Sequence, residues 1–517
     1  MSGTLTRLDK AIEALPLRHA GPGGAVAVLH EGVVLARHSW GWADVERRLP
    51  FTPQTLFRVC SITKQFTCGL VLDQFPDPTV LDGDVARRLP ALREKPPSAL
   101  HLCHNQSGLR DYWALTSLCG SPVEAPFGQA QSDALISRLQ TLHFTPGTRY
   151  SYCNENFRLL GEIVAARAGV AFDELLQRRI LAPAGMATAR MCADTSAMPD
   201  GTIGYEGSVE AGFRPTVNRI IWTGDAGLGA SLDDMIAWEQ FIDGTRDQPG
   251  ARYHRQAAPN SFADGTPAQY GFGVSQMNLL GHRANGHGGG LRGWRSLRSY
   301  LPAERISIVV LFNHMAEPRD ATLDLLAAVL DISRDKPAIT ADPGWRGSFI
   351  EPESGLAVRL ETTADNRVRL HFAGSPDVLD PTADNTAQAG NIRLRRTDDG
   401  IWMDRMGENL CSRLEPCEGP SAPDIEGVFH SAELGADFTC VATGGVLYGA
   451  FSGFLGPGLM ETLMPFGPDV WRFPCPRALD YSAPGDWTLR FRRNDAGEVS
   501  GVDVGCWLAR RVAFEKI

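Results

Sequence analysis

The chain has 517 residues, 43% of them apolar, and a mean hydropathy of −0.16. That describes a globular protein too long for one core, with two or three domains expected. A formal net charge of −10 and a pI near 5.7 argue against nucleic acid or an anionic membrane as the main partner, and no apolar run of about 18 residues is present to span a bilayer. The eleven cysteines are scattered, with no C-x-x-C pair, which reads as reduced thiols in a cytoplasmic protein. The opening MSGTLTRLDKAIEALPLRHAGPGG carries charges within its short apolar stretch and does not read as a signal peptide.

Residues 5–18 read as an amphipathic helix stopped by Gly21-Pro-Gly-Gly24. GAVAVLHEGVVLARHSWGWAD then alternates and turns at Glu31-Gly32, a hairpin signal. The stretch FRVCSITKQFTCG, Phe57 to Gly69, has apolar flanks (Phe57, Val59, Ile62, Phe66, Leu70, Val71) and reads as a buried helix under a cleft. Beyond HLCHNQSGLRDYW and a helical stretch at Ser132–Leu142, the sequence turns at Pro146-Gly147. It leaves Tyr152-Cys-Asn154 in a loop and forms a helix over Phe157–Ala166, ended by Gly169. GDAGLGASLDDMIAWEQFI is a glycine-rich loop feeding a helix with Ser231 as N-cap. YGFGVSQM, GHGGGLRGWRSLRSYLP and ERISIVVLFN read as successive strands, and 322–331 as a last helix. After about residue 332 the Pro/Asp clusters mark a linker, and short alternating segments read as all-β. Trp345-Arg-Gly-Ser-Phe349 with GLAVRLETTADNRVRLHF parallels Ile425-Glu-Gly-Val-Phe429 with GADFTCVATGGVLYGAF. This repeat predicts two consecutive small antiparallel barrels or sandwiches parted near Glu415–Pro423.

Ser61 and Lys64 carry the chemistry of this pattern. A serine hydroxyl needs a base to take its proton and donors to hold the resulting oxyanion. If a helix begins near Ser61, the i,i+3 spacing puts the Lys64 amine beside the hydroxyl, and the Ser61 N–H is a free first-turn donor. The chain has five lysines (Lys10, Lys64, Lys95, Lys336, Lys516) among 50 basic residues, and an amine that must sometimes be neutral cannot be arginine. A second match, Ser333-Arg-Asp-Lys336, has polar flanks and a following proline, and reads as linker.

Tyr152-Cys-Asn154 adds a phenol and an amide, and His287-Gly-Gly-Gly290 a titratable group beside glycines that let backbone approach a substrate. The bland alternatives are a structural tyrosine and a flexible turn. An α/β-hydrolase reading of the HGGG run fails for want of a G-x-S-x-G elbow. His101 and His104 have no third ligand at suitable spacing and read as structural. Cys60 reads as a small buried residue. Arg292, Arg295 and Arg298, and Arg490, Arg492 and Arg493, read as solvated or ion-paired. Trp222, Trp238 and Trp294 read as core, with Trp294 open to a role as a pocket wall.

The ordered set Ser61-x-x-Lys64, Tyr152-x-Asn154 and His287-x-Gly289, with HNQSGL, PGTRYSYCN, YGFG and GHGGGLRGW, resembles the serine β-lactamase and penicillin-binding-protein superfamily over roughly residues 5–331. With the two β units and the closing GCWLARRV, the chain resembles the bacterial D-aminopeptidases over nearly its full length. The resemblance implies an α/β β-lactamase-like catalytic domain (1–331) followed by two antiparallel β-barrel domains (332–417 and 418–517), the last with a substrate-facing loop, 476–486. It implies Ser61 as nucleophile, Lys64 and Tyr152 as the groups that share and pass its proton, and Asn154 as a substrate-orienting amide. His287 stands at the third motif, where penicillin-recognising members carry a lysine, and the Ser61 and Gly290 N–H groups form the oxyanion hole. The implied reaction is release of N-terminal D-amino acids from short peptides, amides and esters through an acyl-enzyme, with no metal or cofactor, no nucleic-acid or membrane partner, and a homodimer as the expected assembly. An α-ammonium requires a facing carboxylate. Glu155, Asp225 and Asp480, in the Pro-bounded loop, are the candidates, and Asp480 is expected to limit the substrate to one N-terminal residue. The rival readings are a D,D-carboxypeptidase or esterase of the same fold, and a non-catalytic penicillin-binding-like sensor.

Overall fold

The computed structural model describes residues 2–334, 345–372, 376–382, 385–474 and 485–517. The linker prolines, Lys336 of the second Ser-x-x-Lys match, and Asp480 with most of its loop lie outside the described residues.

The first alternating run forms the hairpin its pattern predicts, Gly23–His30 against Val33–Asp44. Its two-residue turn places Glu31 at φ 54° and Gly32 at φ 74°, the left-handed pair that matches the twist of antiparallel strands. Hydrogen bonding then extends an eight-stranded antiparallel sheet in the order Tyr270–Gly271, Val274–Leu279, His282–Leu291, Trp294–Leu301, Ile306–Phe312, Gly23–His30, Val33–Asp44 and Leu49–Pro50. The central strand Gly23–His30 is buried on both faces, and alternate residues divide its core. Val26 and Val28 pack with Leu8, Ile12, Leu15, Leu325 and Leu326 of the helices Ser2–Arg18 and Pro318–Leu330. Ala25, Ala27 and Leu29 face a larger helical layer.

At the centre of that layer lies the helix Thr63–Gln74, with every residue from Thr63 to Leu72 buried. It packs against the helix Asn154–Ala168, which begins three residues earlier than the sequence pattern suggests and ends at Gly169 in the left-handed conformation (φ 64°). Ser231 caps its helix as expected, its hydroxyl accepting from the Asp234 N–H at 3.1 Å. No helix among the described residues is long and apolar enough to cross a membrane.

The C-terminal third is two barrel-like antiparallel sheets over 347–416 and 427–516. Each closes through one broken strand. In the first, Leu410–Arg413 pairs with Gly400–Arg405 while Glu415–Pro416 pairs back to the opening strand Gly347–Glu351. In the second, Glu461–Thr462 pairs with Val446–Gly453 and Met464–Gly467 with Val470–Phe473. The residue at each break, Leu414 or Leu463, is buried. The sequence likeness of the two units recurs in the backbone. Gly347 and Gly427 both have strongly positive φ (141° and 148°), and each opening strand ends in the same turn, with Gly355 N donating to Glu351 O and Gly435 N to Ser431 O at 2.8 Å.

Both barrels lean on the catalytic domain. The second docks against the helix Tyr112–Leu118, where a Cβ on Gly120 (φ 77°) would stand 1.9 Å from the carbonyl oxygen of Gly456. Only glycine permits that backbone approach.

Candidate active site

Ser61 sits in a short 3-10 turn, Cys60–Ile62, that leads directly into the helix Thr63–Gln74. The turn is clamped by its surroundings. Phe57–Arg58 pairs with Leu228–Ala230, and the Thr63 hydroxyl donates to the Cys60 carbonyl at 2.6 Å while accepting from Leu228 N at 3.0 Å. Cys60, buried as expected, holds φ at 51°. A left-handed non-glycine residue just before a reactive hydroxyl is strain that the packing imposes.

Two groups, one from the first motif and one from the second, converge on the Ser61 hydroxyl oxygen. Lys64 Nζ donates to Ser61 Oγ at 3.0 Å, and the Tyr152 hydroxyl donates to the same atom at 2.7 Å. Lys64 is completely buried. Its amine also donates to Asn154 Oδ1 and to the Asp225 carbonyl, both at 2.8 Å, and lies over the rings of Tyr152 and Phe157 at 4.8 and 5.4 Å. With two acceptors to take its hydrogens, an amine here can turn a lone pair toward Ser61. Ser61 and Tyr152 remain partly accessible, so solvent can reach this side of the pair.

The HGGG run is no flexible turn. It lies within the strand His282–Leu291, whose pairing with Val274–Leu279 ends at Gly286. Beyond that point the strand edge meets the Ser61 turn, and a Cβ on Gly289 would stand 2.2 Å from the Val59 carbonyl oxygen. Gly290 follows on this strand, opposite Arg295. The His287 ring is buried and accepts the Tyr270 hydroxyl at Nε2 (3.0 Å) while Nδ1–H donates to the Gly288 carbonyl (2.5 Å). Burial first, then the positive charge of Lys64, lowers its pKa to about 3 against the helping Gly288 carbonyl. The imidazole is therefore neutral across the working pH range.

Two carboxylates offered for a substrate ammonium are both buried. Asp225 is buried and accepts from the Tyr112 hydroxyl at 2.5 Å and from Thr223 N at 2.9 Å. Glu155 is wholly buried, and desolvation together with the Asp111 charge pushes its carboxyl well above the ordinary range. Both face inward because they stand on the buried sides of segments that pack around Lys64. Of the arginines, Arg298 is fully buried against Glu239 at 2.6 Å, and Arg292 pairs with Glu124 and Glu206 at 2.7 and 2.8 Å. Trp294 is core, edge-on to Phe57 at 5.1 Å. His101 closes a helix cap by accepting from Ser98 N. Among the described residues no group of three or more His, Cys, Asp or Glu side chains is disposed to hold a metal.

Residues 8–331 match the family described as Beta-lactamase, and 338–515 the family described as D-aminopeptidase, domain B. The chain is 51% identical to a D-aminopeptidase of Gluconobacter oxydans over 520 residues, covering 99% of each chain. The chain belongs to the D-aminopeptidase family. A D-aminopeptidase of Brucella canis is 46% identical, again over 99% of each chain. Among solved structures, the octameric penicillin-binding protein homologue from Pyrococcus abyssi superposes with a TM-score of 0.55 at 21% identity, covering 79% of this chain and 99% of that one. That likeness speaks to the fold.

For this D-aminopeptidase family member, sequence reasoning misses Asp111, Tyr112 and the role of Tyr270. All three lie in conspicuous stretches, HNQSGLRDYW and YGFG. The missing signal is their placement. Asp111 accepts from both the backbone and side-chain N–H of Asn154, at 2.6 and 2.9 Å, a contact between residues 43 apart that no local pattern encodes.

Proposed function

We propose that this chain is a serine D-aminopeptidase in which Ser61 attacks the carbonyl of an N-terminal D-residue in a short peptide, amide or ester. The observation that carries the chemistry is the convergence of Lys64 Nζ and Tyr152 Oη on Ser61 Oγ. In this reading Lys64, as a neutral amine, takes the Ser61 proton as the Oγ–C bond forms. The oxyanion rests on the N–H groups of Ser61 and Gly290. Tyr152 hands its own proton to the leaving nitrogen and regains one from Lys64, so the protons balance when the C–N bond breaks. Water, activated by the same pair, then releases the D-amino acid from Ser61.

His287 supports an amine-bearing substrate over a carboxylate-bearing one. A neutral, buried imidazole offers no cation to the carboxylate that a D,D-carboxypeptidase must hold. The D preference rests on the likeness to the two relatives named D-aminopeptidase. With Glu155 and Asp225 buried, Asp480 is the carboxylate assigned to the substrate ammonium, and Asp480→Ala is expected to raise KM for D-alanine amides while leaving a plain ester nearly unaffected. An unchanged KM for the amine substrate removes Asp480 from this role. The separate sheets support a division into 1–331, 332–417 and 418–517, and the scattered cysteines support a reducing, cytoplasmic setting.

The test is a substrate panel of D-alanine p-nitroanilide, its L enantiomer, a D-Ala-D-Ala carboxylate ligand and a plain ester. Turnover of the D anilide alone among the amides is expected. Preferential cleavage of the carboxylate ligand would instead make this a carboxypeptidase of the same fold, and turnover of the ester alone an esterase.

A further inference from the structure

The catalytic groups are held through a chain of hydrogen bonds that begins in the second barrel. The segment Cys506–Arg511 is the loop between the last two strands of that barrel, Val499–Gly505 and Val512–Lys516, and the carbonyl of Leu508 accepts from Asp111 N at 2.9 Å. Beside it, the fully desolvated Arg110 guanidinium donates to the carbonyls of Arg510 and Arg511 at 2.8 and 3.3 Å. The Asp111 carboxylate is itself completely buried. One of its oxygens caps the helix Tyr112–Leu118 by accepting from Trp113 N at 2.8 Å, and the other takes both Asn154 donors.

This arrangement decides which way the Asn154 amide points. An asparagine side chain presents an oxygen on one side and an NH₂ on the other, and the network fixes the choice. With Nδ2 bound to Asp111, Oδ1 is directed at Lys64 Nζ, 2.8 Å away. Reversed, the amide would set its NH₂ against the Lys64 donors and pull the amine off its line to Ser61.

We propose that Asp111 is a positioning residue for the hydrolytic reaction: anchored by the last interstrand loop of the second barrel, it fixes the Asn154 amide and through it the Lys64 amine. The proposal rests on the Ser61–Lys64 reading above. It gives the C-terminal barrel a part in catalysis separate from any contact with substrate.

Helix capping and amide positioning are separable. Asp111→Ser keeps a good N-cap but is too short to reach Asn154 Nδ2. Asp111→Asn retains one carbonyl oxygen at full reach. The expected result for Asp111→Ser is a kcat on D-alanine p-nitroanilide lowered about 100-fold, with KM within about threefold of wild type, as for a misplaced catalytic group. Asp111→Asn should recover at least about tenfold of that loss, and the thermal midpoints of the two variants should be similar. A kcat for Asp111→Ser within about threefold of wild type overturns the proposal, as does a loss that tracks the thermal midpoint and is not recovered by asparagine. Lys64→Ala is measured alongside. If it retains wild-type kcat the Ser61–Lys64 reading itself fails, whatever the Asp111 variants do.

Discussion

The two barrels repeat one pattern and yet grip the catalytic domain with very different force. The turn that ends each opening strand carries a glutamate at the same place, Glu353 in the first and Glu433 in the second. Glu353 meets a single arginine, Arg149, at 2.6 Å, with nearly half of its side chain in water. Glu433 is largely covered and accepts from Gln140 N, Thr141 N, the Thr141 hydroxyl and the buried Arg110, at 2.8 to 3.4 Å. Arg149 precedes Tyr152 and Arg110 precedes Asp111, so one turn reaches the loop of Tyr152 and the other the loop of the proposed positioning residue. An exposed ion pair contributes a fraction of a kcal/mol, whereas a carboxylate that satisfies buried donors cannot be removed without leaving them stranded. The repeat supplied the turn, and burial at one copy made it structural.

The largest effect that separates the two is expected from Glu433→Ala. Removing it leaves the buried Arg110 charge without its carboxylate and two backbone N–H groups without their acceptor, at a cost of about 3 kcal/mol. A drop in the first calorimetric unfolding transition, accompanied by loss of kcat through the Arg110–Asp111 loop, is the expected outcome; an unchanged transition erases the contrast between the barrels.

An intermediate effect is expected from pH. His143 is partly buried at the same interface, its pKa held well below 6.5 by desolvation of the ring and then by Arg510 and Arg110. The unfolded chain binds a proton near pH 6.5 that the folded imidazole refuses, so its contribution is complete above that pH and is lost as pH falls below it. The slope approaches about 1.4 kcal/mol per pH unit. His143→Gln should flatten the fall in melting temperature between pH 7.5 and pH 5.5, and an equal fall in both proteins would place the acid sensitivity elsewhere.

The smallest effect is expected from Glu353→Ala, about 0.5 kcal/mol or less and diminished further by salt. A loss as large as that of Glu433→Ala would show that the first barrel's contact is not the screened surface pair its exposure indicates.

Much of this architecture is legible in the sequence. Ser61 and Lys64 share a helix start, so their proximity follows from spacing alone, and Gly169, Ser231 and Glu31-Gly32 announce a cap, a start and a turn through local chemistry. The repeat around Gly347 and Gly427 announces the two barrels. What sequence does not carry is the burial of a polar group by something distant. Glu155 and Asp225 look like eligible carboxylates along the chain, and only packing shows one buried, with its pKa raised by desolvation, and the other held by Tyr112. His287 can be placed at the third motif, but its lowered pKa comes from burial and then from the charge of Lys64. Asp111 escapes a sequence reading because its partners, Asn154 and Leu508, are far away along the chain.

The most direct measurement is acid-quenched mass mapping of the protein at steady state with a D-alanine ester, paired with the kcat of Ser61→Ala. The expected result is a D-alanyl adduct confined to the Ser61 peptide and a kcat lowered by roughly 10⁴-fold or more in the variant. A Ser61→Ala protein that still turns over within about tenfold of wild type, or an adduct mapped to another residue, would contradict Ser61 as the nucleophile.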